Sequence, residues 1–425
     1  MKLLYRFHRW ISAICALFFL LLCLTGLPLI FSGDIYRWNE VDERPSFGEL
    51  SYQELWSGAT AGLARIASEM PERDVDAIST DTERGVLLYS LTWQEENGTA
   101  RRARVAYAPV QDELVPWRGT HVKSPALASF MGTMHNLHLK MSMGRSGMIF
   151  LTVMCFLSFL SIVGGILLYP FFMRQRLFGG TRGGMSAGNF FDWHNFLGMI
   201  TAVWAGLMTL SGVAIAAYII GHGSYRADVE AALPVDIHNQ EPIAYEEMIS
   251  YAADHFPTQR LLYLANVRED EPAVMTLTDE GHPSMFRGQE VYLIRTEEGL
   301  THITQPMPRW LTLCDSLRTL HLYNHDTMPL KLIWAVLDIL TIVVIVSGFA
   351  GWFQRHRRKK EIPPVLTDGT RPITAMWSMP ALFALLSIIG MTAPLSYAET
   401  GDSIGTVAWG CCLLLMIYLW QRGRR

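Results

Sequence analysis

Two stretches of this sequence share one design: FHRWISAICALFFLLLCLTG at residues 7–26 and WHNFLGMITAVWAGLMTLSG at residues 193–212. In each, a histidine is followed 18 residues later by a glycine, His8 by Gly26 and His194 by Gly212. Eighteen residues make about five turns of α-helix, so each histidine shares a helix face with its glycine. One imidazole on an apolar helix would indicate ordinary packing. Two at duplicated positions predict paired ligands on either side of something flat, and haem is the obvious candidate.

A second pair of segments is duplicated in the same way. NLHLKMSMGRSGMIFLTVMCFLSFLSIVGG at 136–165 and TLHLYNHDTMPLKLIWAVLDILTIVVIVSG at 319–348 each begin with a Leu-His pair and continue into an apolar run of membrane length. The chain is therefore interpreted as two tandem units, each made of a helix, a polar domain and a second helix. His138 and His321, in the two Leu-His pairs, are the second pair of candidate ligands.

Composition and hydropathy predict an integral membrane protein. Half of the 425 residues are hydrophobic and 11% are aromatic, and six stretches are long enough to span a bilayer as helices. The predicted fold is a mainly α-helical, tandem-duplicated bundle of six spans with two small α+β external domains. The predicted units are a first membrane helix at 1–32, an external domain at 33–146, a second helix at 147–173, a cytoplasmic loop at 174–193, a third helix at 194–221, a second external domain at 222–328, a fourth helix at 329–354, a basic cytoplasmic loop at 355–373 and two extra C-terminal helices at 374–420.

Charge distribution predicts the orientation in the bilayer. Lysine and arginine cluster at both ends of the chain and after the second and fourth spans. By the positive-inside rule these segments are cytoplasmic and the two polar domains are external, which is periplasmic for the inner membrane of a Gram-negative cell. The first span lacks a small-x-small cleavage site, so we interpret it as an anchor rather than a cleaved signal peptide. The formal charge of -4 gives no reason to expect a nucleic-acid partner.

The two polar domains have helix and strand patterns but no catalytic motif. In each, a helical stretch is followed by alternating runs that predict strands, with neither a nucleophile beside a base nor a phosphate-binding loop. Five of the six cysteines lie in predicted spans, so a disulfide framework or a cysteine metal site is not expected. Metal chemistry would then depend on histidine.

Two further histidines and two glycines are secondary candidates at the same sites. His135 lies three residues before the first Leu-His histidine, and His325 lies four residues after the second. Each would share a helix face with its neighbour and is an alternative ligand. Gly26 and Gly212 are the positions that would clear space for a cofactor. Polar packing is the competing explanation for the two histidines.

Two charged residues complete the set of candidates. Arg145 is placed to neutralise a haem propionate, although interfacial basic residues more often contact lipid phosphates. Asp338 lies inside a predicted span, where a carboxylate is costly enough to indicate a partner or a proton-handling role. A neutral, hydrogen-bonded packing role is the alternative for Asp338.

The motifs resemble one known family. FHRW at residues 7–10, DWHNFLG at residues 192–198 and a Leu-His pair before the second and fourth spans resemble the PepSY-associated transmembrane family over about residues 1–356. Within it the chain looks like the FoxB-type ferric-siderophore reductases, which are inner-membrane proteins with bis-histidine haems. The resemblance implies PepSY-like external domains, two b-type haems and reduction of a ferric siderophore at the periplasmic side. Asn195 stands where the family has an arginine, and residues 374–420 add two helices to the four-helix pattern.

We therefore interpret the sequence as a di-haem protein that transfers electrons to an external ferric complex. The cytoplasmic loops are too short for a flavin or nicotinamide domain, so the expected donor is a quinone or another protein. No catalytic side chain is expected beyond the haems. Two alternatives stay open: a PepSY-domain regulatory or peptide-binding membrane protein with structural histidines, and a metal transporter that uses histidines and methionines as a relay.

Helix geometry also predicts the separation of the two sites. The external end of the first helix is roughly 23 residues beyond His8, or about 35 Å, and His138 is expected beyond that end. Trp204 lies near mid-span and is a candidate to shorten the electronic gap between the haems. Ordinary core packing is the alternative for this side chain.

Overall fold

Six helices are long and apolar enough to cross a membrane in the computed structural model, as the sequence predicts. The structure describes residues 2–41, 44–95, 98–117, 121–174, 176–182, 186–232, 242–266, 273–279, 289–297, 299–304, 306–322, 327–357, 372–396 and 398–423. The helices are α1 (Lys2–Ile30), α2 (Ser32–Asn39), α3 (Tyr52–Ser57), α4 (Ala59–Glu69), α5 (Pro125–Lys140), α6 (Gly144–Met173), α7 (Ala187–Ala232), α8 (Tyr245–His255), α9 (Arg309–Leu322), α10 (Met328–Arg357), α11 (Ile373–Ser396) and α12 (Ala398–Gly423). The strands are β1 (Glu40–Val41), β2 (Asp74–Asp81), β3 (Val86–Gln94), β4 (Ala100–Ala108), β5 (Glu113–Pro116), β6 (His121–Val122), β7 (Gln259–Ala265), β8 (Ala273–Asp279), β9 (Gln289–Thr296) and β10 (Gly299–Ile303).

Four of the six long helices form a closed ring. Helix α1 packs on α6, α6 on α7, α7 on α10, and α10 back on α1. Helices α11 and α12 pack mainly on each other and attach to the outside of the ring at α7 and α10. Helices α1 and α7, which carry the first duplicated motif, are therefore not ring neighbours but lie across the bundle from each other.

The third span is longer than predicted. Helix α7 continues past the expected end at residue 221 and remains helical to Ala232. Tyr218, Tyr225 and Val229 of this helix pack with residues of the sheet and α9 in one apolar cluster. The extension therefore continues the third span into the sheet domain without a break in the helix.

The two predicted α+β domains share a single sheet. Eight antiparallel strands run in the order β10-β9-β8-β7-β2-β3-β4-β5, four from each half of the chain. The halves meet where β2 pairs with β7, for example at Ile78 and Leu264. The sequence predicts the strands of each half but not this joint.

Side chains of each half also bond across the joint. The Trp56 indole N–H donates to the Leu261 carbonyl at 2.6 Å, and the Tyr245 hydroxyl donates to the Val75 carbonyl at 3.1 Å. Helices α3, α4 and α8 pack on the sheet in one hydrophobic core that contains residues of both halves. The strands and helices of both halves therefore form one packed domain. We call the end of the bundle that carries this sheet the domain end, and the opposite end the far end.

Helices α5 and α9 join the sheet domain to the second and fourth spans. Helix α5 begins with Ser124, whose hydroxyl accepts from the Leu127 N–H, and Pro125 in the first turn. It ends at Met141 in the left-handed conformation with φ 49°, so the chain reverses at once into α6. Gly147 allows this close turn, because a Cβ atom there would lie 1.8 Å from the Lys140 carbonyl oxygen. The turn holds the C-terminal end of α5 against the bundle.

Buried charges tie other elements together at the domain end. Lys331 of α10 is 1% exposed and its ammonium lies 2.5 Å from Asp34 of α2. One turn away, Thr327 donates to Asp402 of α12 at 3.2 Å. A buried lysine needs such a partner, since an unpaired charge there would cost several kcal/mol. These contacts fix α2 and the C-terminal hairpin to α10.

Candidate functional site: two pairs of histidines

The histidines of the first duplicated motif meet across the far end of the ring. The rings of His8 on α1 and His194 on α7 have centroids 6.3 Å apart, with their planes tilted by 56°. Each histidine starts the apolar part of its own span, so the duplication places them at the same depth from opposite sides. We call His8 and His194 the far-end pair.

The histidines of the second motif meet at the domain end. His138, near the end of α5, and His321, near the end of α9, have ring centroids 6.1 Å apart and planes tilted by 49°. Helix α5 packs on α1 and helix α9 on α7, so the two rings approach each other from opposite repeats. We call His138 and His321 the domain-end pair.

Both separations fit two imidazoles that share one metal ion. A metal–imidazole bond is about 2 Å long, and a ring nitrogen is about 1.1 Å from its own ring centroid, so two imidazoles on opposite sides of a metal have centroids about 6 Å apart. Tilted and edge-to-face ring contacts also have centroids about 4.5–7 Å apart, so the separation fits a shared metal ion without requiring one. The paired imidazoles are the residues that could hold a bis-histidine haem at each end of the bundle.

Each ring is oriented by the repeat to which it belongs. His8 Nδ1 lies 2.9 Å from the Ser161 carbonyl of α6, and His194 Nδ1 lies 2.9 Å from the Val344 carbonyl of α10. A carbonyl oxygen only accepts, so Nδ1 carries the proton and the Nε2 lone pair is left for a metal. This is the outer hydrogen bond that metal-binding histidines usually make.

The domain-end pair has the same arrangement with added hydroxyl groups. His138 Nδ1 lies 3.1 Å from the Leu22 carbonyl and 3.0 Å from the Thr25 hydroxyl of α1. His321 Nδ1 lies 2.8 Å from the Ser211 hydroxyl of α7, which itself donates to the Met208 carbonyl at 3.0 Å. Burial lowers the pKa of both His138 and His321 to about 4. Both imidazoles are therefore neutral at physiological pH, the form that can bind a metal.

The glycines of the motifs clear space for a histidine on another helix. A Cβ at Gly26 would lie 3.1 Å from His138 Cε1, and one at Gly348 would lie 2.9 Å from His194 Nδ1. Gly165 faces His8 in the same way, at 3.3 Å from Cε1. The glycine in a motif therefore makes room for a histidine on another helix: Gly26 on α1 accommodates the ring of His138 on α5.

Gly212 departs from this pattern. A Cβ there would lie 3.3 Å from Cys155 Sγ of α6, and no histidine atom is among its nearest neighbours. The adjacent Ser211 supplies the contact to His321 instead. Of the two glycines predicted from the first motif, Gly26 lies at a histidine pair and Gly212 lies at a packing contact between two spans.

The two pairs lie closer together than the sequence suggests. The expectation that His138 lies beyond the end of the first helix is wrong, because its ring bonds to α1 between Leu22 and Thr25. From His8 to these residues is 14 to 17 positions, or about 21–26 Å along the helix. The turn after α5 causes the difference, since it directs the end of α5 back along the bundle.

The structure distinguishes among the secondary candidate residues. His135 is exposed, while His138 of the same helix faces His321, so the structure favours His138 as the domain-end ligand. The prediction for His325 falls outside the described residues. Arg145 is exposed at the start of α6.

Asp338 belongs to neither pair. Its side chain is 4% exposed on α10, in the middle of the ring, and it is hydrogen-bonded to the Cys23 thiol of α1. Its Oδ2 atom has no partner among the described residues. The sequence predicts a partner for this carboxyl group, and the structure identifies a thiol rather than a cation.

Sequence reasoning missed a charged cluster beside the far-end pair. Asp192 lies two residues before His194 and is 6% exposed. Arg176 and Arg182, from the segment between α6 and α7, each reach its carboxylate at 2.7 Å. The cluster fixes the start of α7, and the DWH sequence with nearby arginines was its only signal.

Across the described ranges, no group of three or more histidine, cysteine, aspartate or glutamate side chains is arranged to hold a metal ion. A bis-histidine haem does not need one, because the protein supplies only the two axial ligands.

Fold and site together define a class: a multi-pass membrane protein with a duplicated four-helix ring, a histidine pair at each end of the ring and an extramembrane sheet. The chain matches the model of the PepSY-associated TM region over residues 5–355, and it belongs to that family. Helices α11 and α12 lie outside the matched region. No curated protein gives a significant match.

Proposed function

We propose that the protein carries single electrons across the bacterial inner membrane and reduces a ferric complex, most simply a ferric siderophore, at its periplasmic domain end. In this proposal the far-end pair holds one b-type haem and the domain-end pair holds a second. A quinol or a protein on the cytoplasmic side or in the membrane supplies the electrons. The FoxB-type reductases that the sequence resembles provide the substrate class.

The observation that supports the proposal is the matched geometry of the two pairs. Centroid separations of 6.3 and 6.1 Å at both ends of one bundle fit two metal-sharing pairs. In three of the rings Nδ1 bonds to a carbonyl of the same repeat, and in His321 it bonds to the Ser211 hydroxyl, which donates to the Met208 carbonyl. Packing alone does not require both features at four equivalent positions.

A haem bound at either pair would supply a one-electron iron couple. His8 and His194 would hold one haem and His138 and His321 the other, and the Nδ1 hydrogen bonds would keep these rings oriented. With two histidines to each haem, the ferric complex would not be expected to bind the haem iron. One-electron reduction of a ferric complex needs no acid, base or nucleophile from the protein. Iron is then released because Fe(II) is a softer ion that oxygen ligands hold more weakly.

Reoxidation kinetics test this function. The purified full-length protein is reduced chemically, a ferric hydroxamate complex is added without oxygen, and the haem absorbance is followed. We expect rapid reoxidation of the native protein and loss of this reaction in His138→Ala, while the far-end haem remains reducible.

His135→Ala is the matched control, because His135 lies on the same helix but is exposed. It should be reoxidised at the native rate. If His138→Ala is also reoxidised at the native rate, the domain-end pair is not where electrons leave, and the proposal fails.

A further inference from the structure

The eight-stranded sheet has two faces with different surroundings. Helices α3, α4 and α8 pack on one face, where Tyr89 and Tyr107 lie in the hydrophobic core. The opposite face carries Tyr292 and Ile294, which pack with the extension of α7 and with α9. Because α7 continues from the membrane bundle into this contact, we call the second face the bundle-side face.

Arg102 and Arg104 of β4 belong to the bundle-side face. Successive residues of a strand point to opposite faces, and Tyr107 of the same strand points to the helix-covered face. Strand β4 pairs Arg102 with Thr92 and Arg104 with Ser90 of β3, in a register without a bulge. Both arginines are exposed, so two guanidinium groups lie side by side on the bundle-side face.

These two side chains differ from the other arginines of the strands in having no partner. The other strand arginines each have one: Arg101 pairs with Glu95, Arg295 pairs with Glu247 and Arg260 lies over the ring of Tyr52. Arg102 and Arg104 form neither a hydrogen bond nor an ion pair with any residue that the structure describes. The Asp76 carboxylate of β2 accepts from the Thr92 hydroxyl at 2.9 Å instead of pairing with either of them.

The bundle-side face is covered at both ends and open between them. The extension of α7 and α9 cover the β9–β10 end. At the other end, Phe47 and Trp117 pack in a second apolar cluster with Ala106 of β4. Between these clusters lie the two arginines and, on the next strand, the half-buried Ser90 and Thr92. This part of the face is therefore polar, basic and accessible.

Like charges at this spacing repel unless a counter-charge lies between them. Residues two apart on one strand have Cα atoms about 7 Å apart, and neighbouring like charges on one face of a sheet are destabilising. A ligand with more than one anionic group would remove this repulsion. Guanidinium groups bind carboxylates through two parallel hydrogen bonds, so carboxylates are the anions that this pair fits best.

We propose that Arg102 and Arg104 bind the carboxylate groups of an anionic ferric complex on the bundle-side face of the sheet. This inference rests on the proposed function, since it names the charge class of the substrate: complexes with free carboxylates are preferred over neutral ones. The two positive charges also attract such a complex toward the end of the bundle that carries the domain-end pair.

Equilibrium dialysis of the full-length protein against gallium(III) citrate, followed by elemental analysis, tests the site. Gallium(III) has the charge and nearly the size of Fe(III) but is not reduced, so binding is measured separately from electron transfer. Arg102→Gln and Arg104→Gln should each weaken binding about 5- to 10-fold, between the loss of an exposed ion pair and that of a hydrogen bond to a charged group. Added salt should weaken native binding in the same direction.

Arg101→Gln is the matched control. Arg101 is the adjacent residue of the same strand, but it points to the other face and is bonded to Glu95. This variant should bind gallium(III) citrate as the native protein does. A neutral gallium(III) tris-hydroxamate complex is the control ligand, and its binding should be the same in all three variants. Circular dichroism of each variant shows whether the fold is retained.

The inference is overturned if Arg102→Gln and Arg104→Gln bind gallium(III) citrate as the native protein does, as expected if these side chains contact only lipid phosphates. Equal loss of binding in Arg101→Gln also overturns it. A protein without haem that shows the predicted gallium binding contradicts only the electron-transfer role. A haem protein that reduces ferric complexes but binds gallium(III) citrate without these arginines contradicts only this inference.

Discussion

The two histidine pairs have nearly the same spacing but are held in different ways. The far-end histidines lie on the spanning helices themselves and bond to backbone carbonyls of α6 and α10. The domain-end histidines lie on α5 and α9, outside the spans, and bond to hydroxyl groups as well as to carbonyls. The far-end rings therefore bond mainly to the backbone of neighbouring spans, with one longer contact from His8 to the Ser161 hydroxyl. The domain-end site also depends on polar side chains and on the turn after α5, so substitutions should affect the two ends differently.

The largest expected effect comes from removing ligands. His8→Ala and His194→Ala should each remove the same haem, and the double variant should remove no more, because both side chains serve one iron. His138→Ala and His321→Ala should remove the other haem. Haem content and redox titration of the four single variants measure this. Loss of different haems in His8→Ala and His194→Ala would show that these two histidines do not share one haem.

Closing the space beside a ring should have the next largest effect. A Cβ at Gly348 would lie 2.9 Å from His194 Nδ1, so Gly348→Ala forces the far-end ring to move. Overpacking of this kind costs about 1–3 kcal/mol, which is about a 5- to 150-fold loss of haem affinity at the far end. Haem retention during dialysis against apomyoglobin measures it.

Gly212→Ala is the control for this experiment, because its Cβ would meet Cys155 and not a histidine. It should retain both haems. Equal haem loss in Gly212→Ala and Gly348→Ala would show that the effect comes from general helix packing.

Removing a hydroxyl group should have a smaller effect than closing the space beside a ring, and the effect should differ between the two ends. Ser211→Ala deletes the 2.8 Å contact to His321 Nδ1. We expect a several-fold weaker domain-end haem or a shifted potential, at or below the lower limit of about tenfold typical of outer hydrogen bonds. The far-end haem should not change.

Ser161→Ala is the matched test at the far end. Its carbonyl remains 2.9 Å from His8 Nδ1, while the hydroxyl that is lost lies farther away, at 3.4 Å. The far-end potential should stay near its native value. A larger shift in Ser161→Ala than in Ser211→Ala would reverse the comparison between the ends.

The smallest effect is expected midway between the pairs. Trp204 is buried and meets Trp334 edge to face, with centroids 6.3 Å apart. Ten residues separate it from His194 and seven from Ser211, so it lies between the two sites. Trp204→Leu should slow electron transfer between the haems a few-fold without removing either. Stopped-flow reduction that follows each haem checks this, and an unchanged rate eliminates Trp204 as a relay.

The sequence predicts the features that depend on hydrophobic periodicity and on the internal duplication of the chain. Long apolar runs predict the six spans, and the repeated histidines predict which side chains meet, because equivalent positions of two repeats face each other across their common axis. The sequence could not tell whether His135 or His138 faces inward, since residues three apart share a helix face. The geometry of the turn after α5 decides that choice.

Other features depend on contacts between distant parts of the chain. The pairing of β2 with β7 joins the sheets of the two halves, and edge strands carry no signal for the partner they choose. The glycines of the motifs indicate close approach, but only the packed helices show that Gly26 accommodates His138.

Haem content tests the central claim most directly. The full-length protein, purified in detergent from haem-replete cells, is examined by absorption spectroscopy and by the pyridine haemochrome assay. The account predicts a Soret band, split α and β bands on reduction and two b-type haems per chain. A colourless protein would contradict it, and the four histidines would then be packing residues of a membrane protein without redox activity.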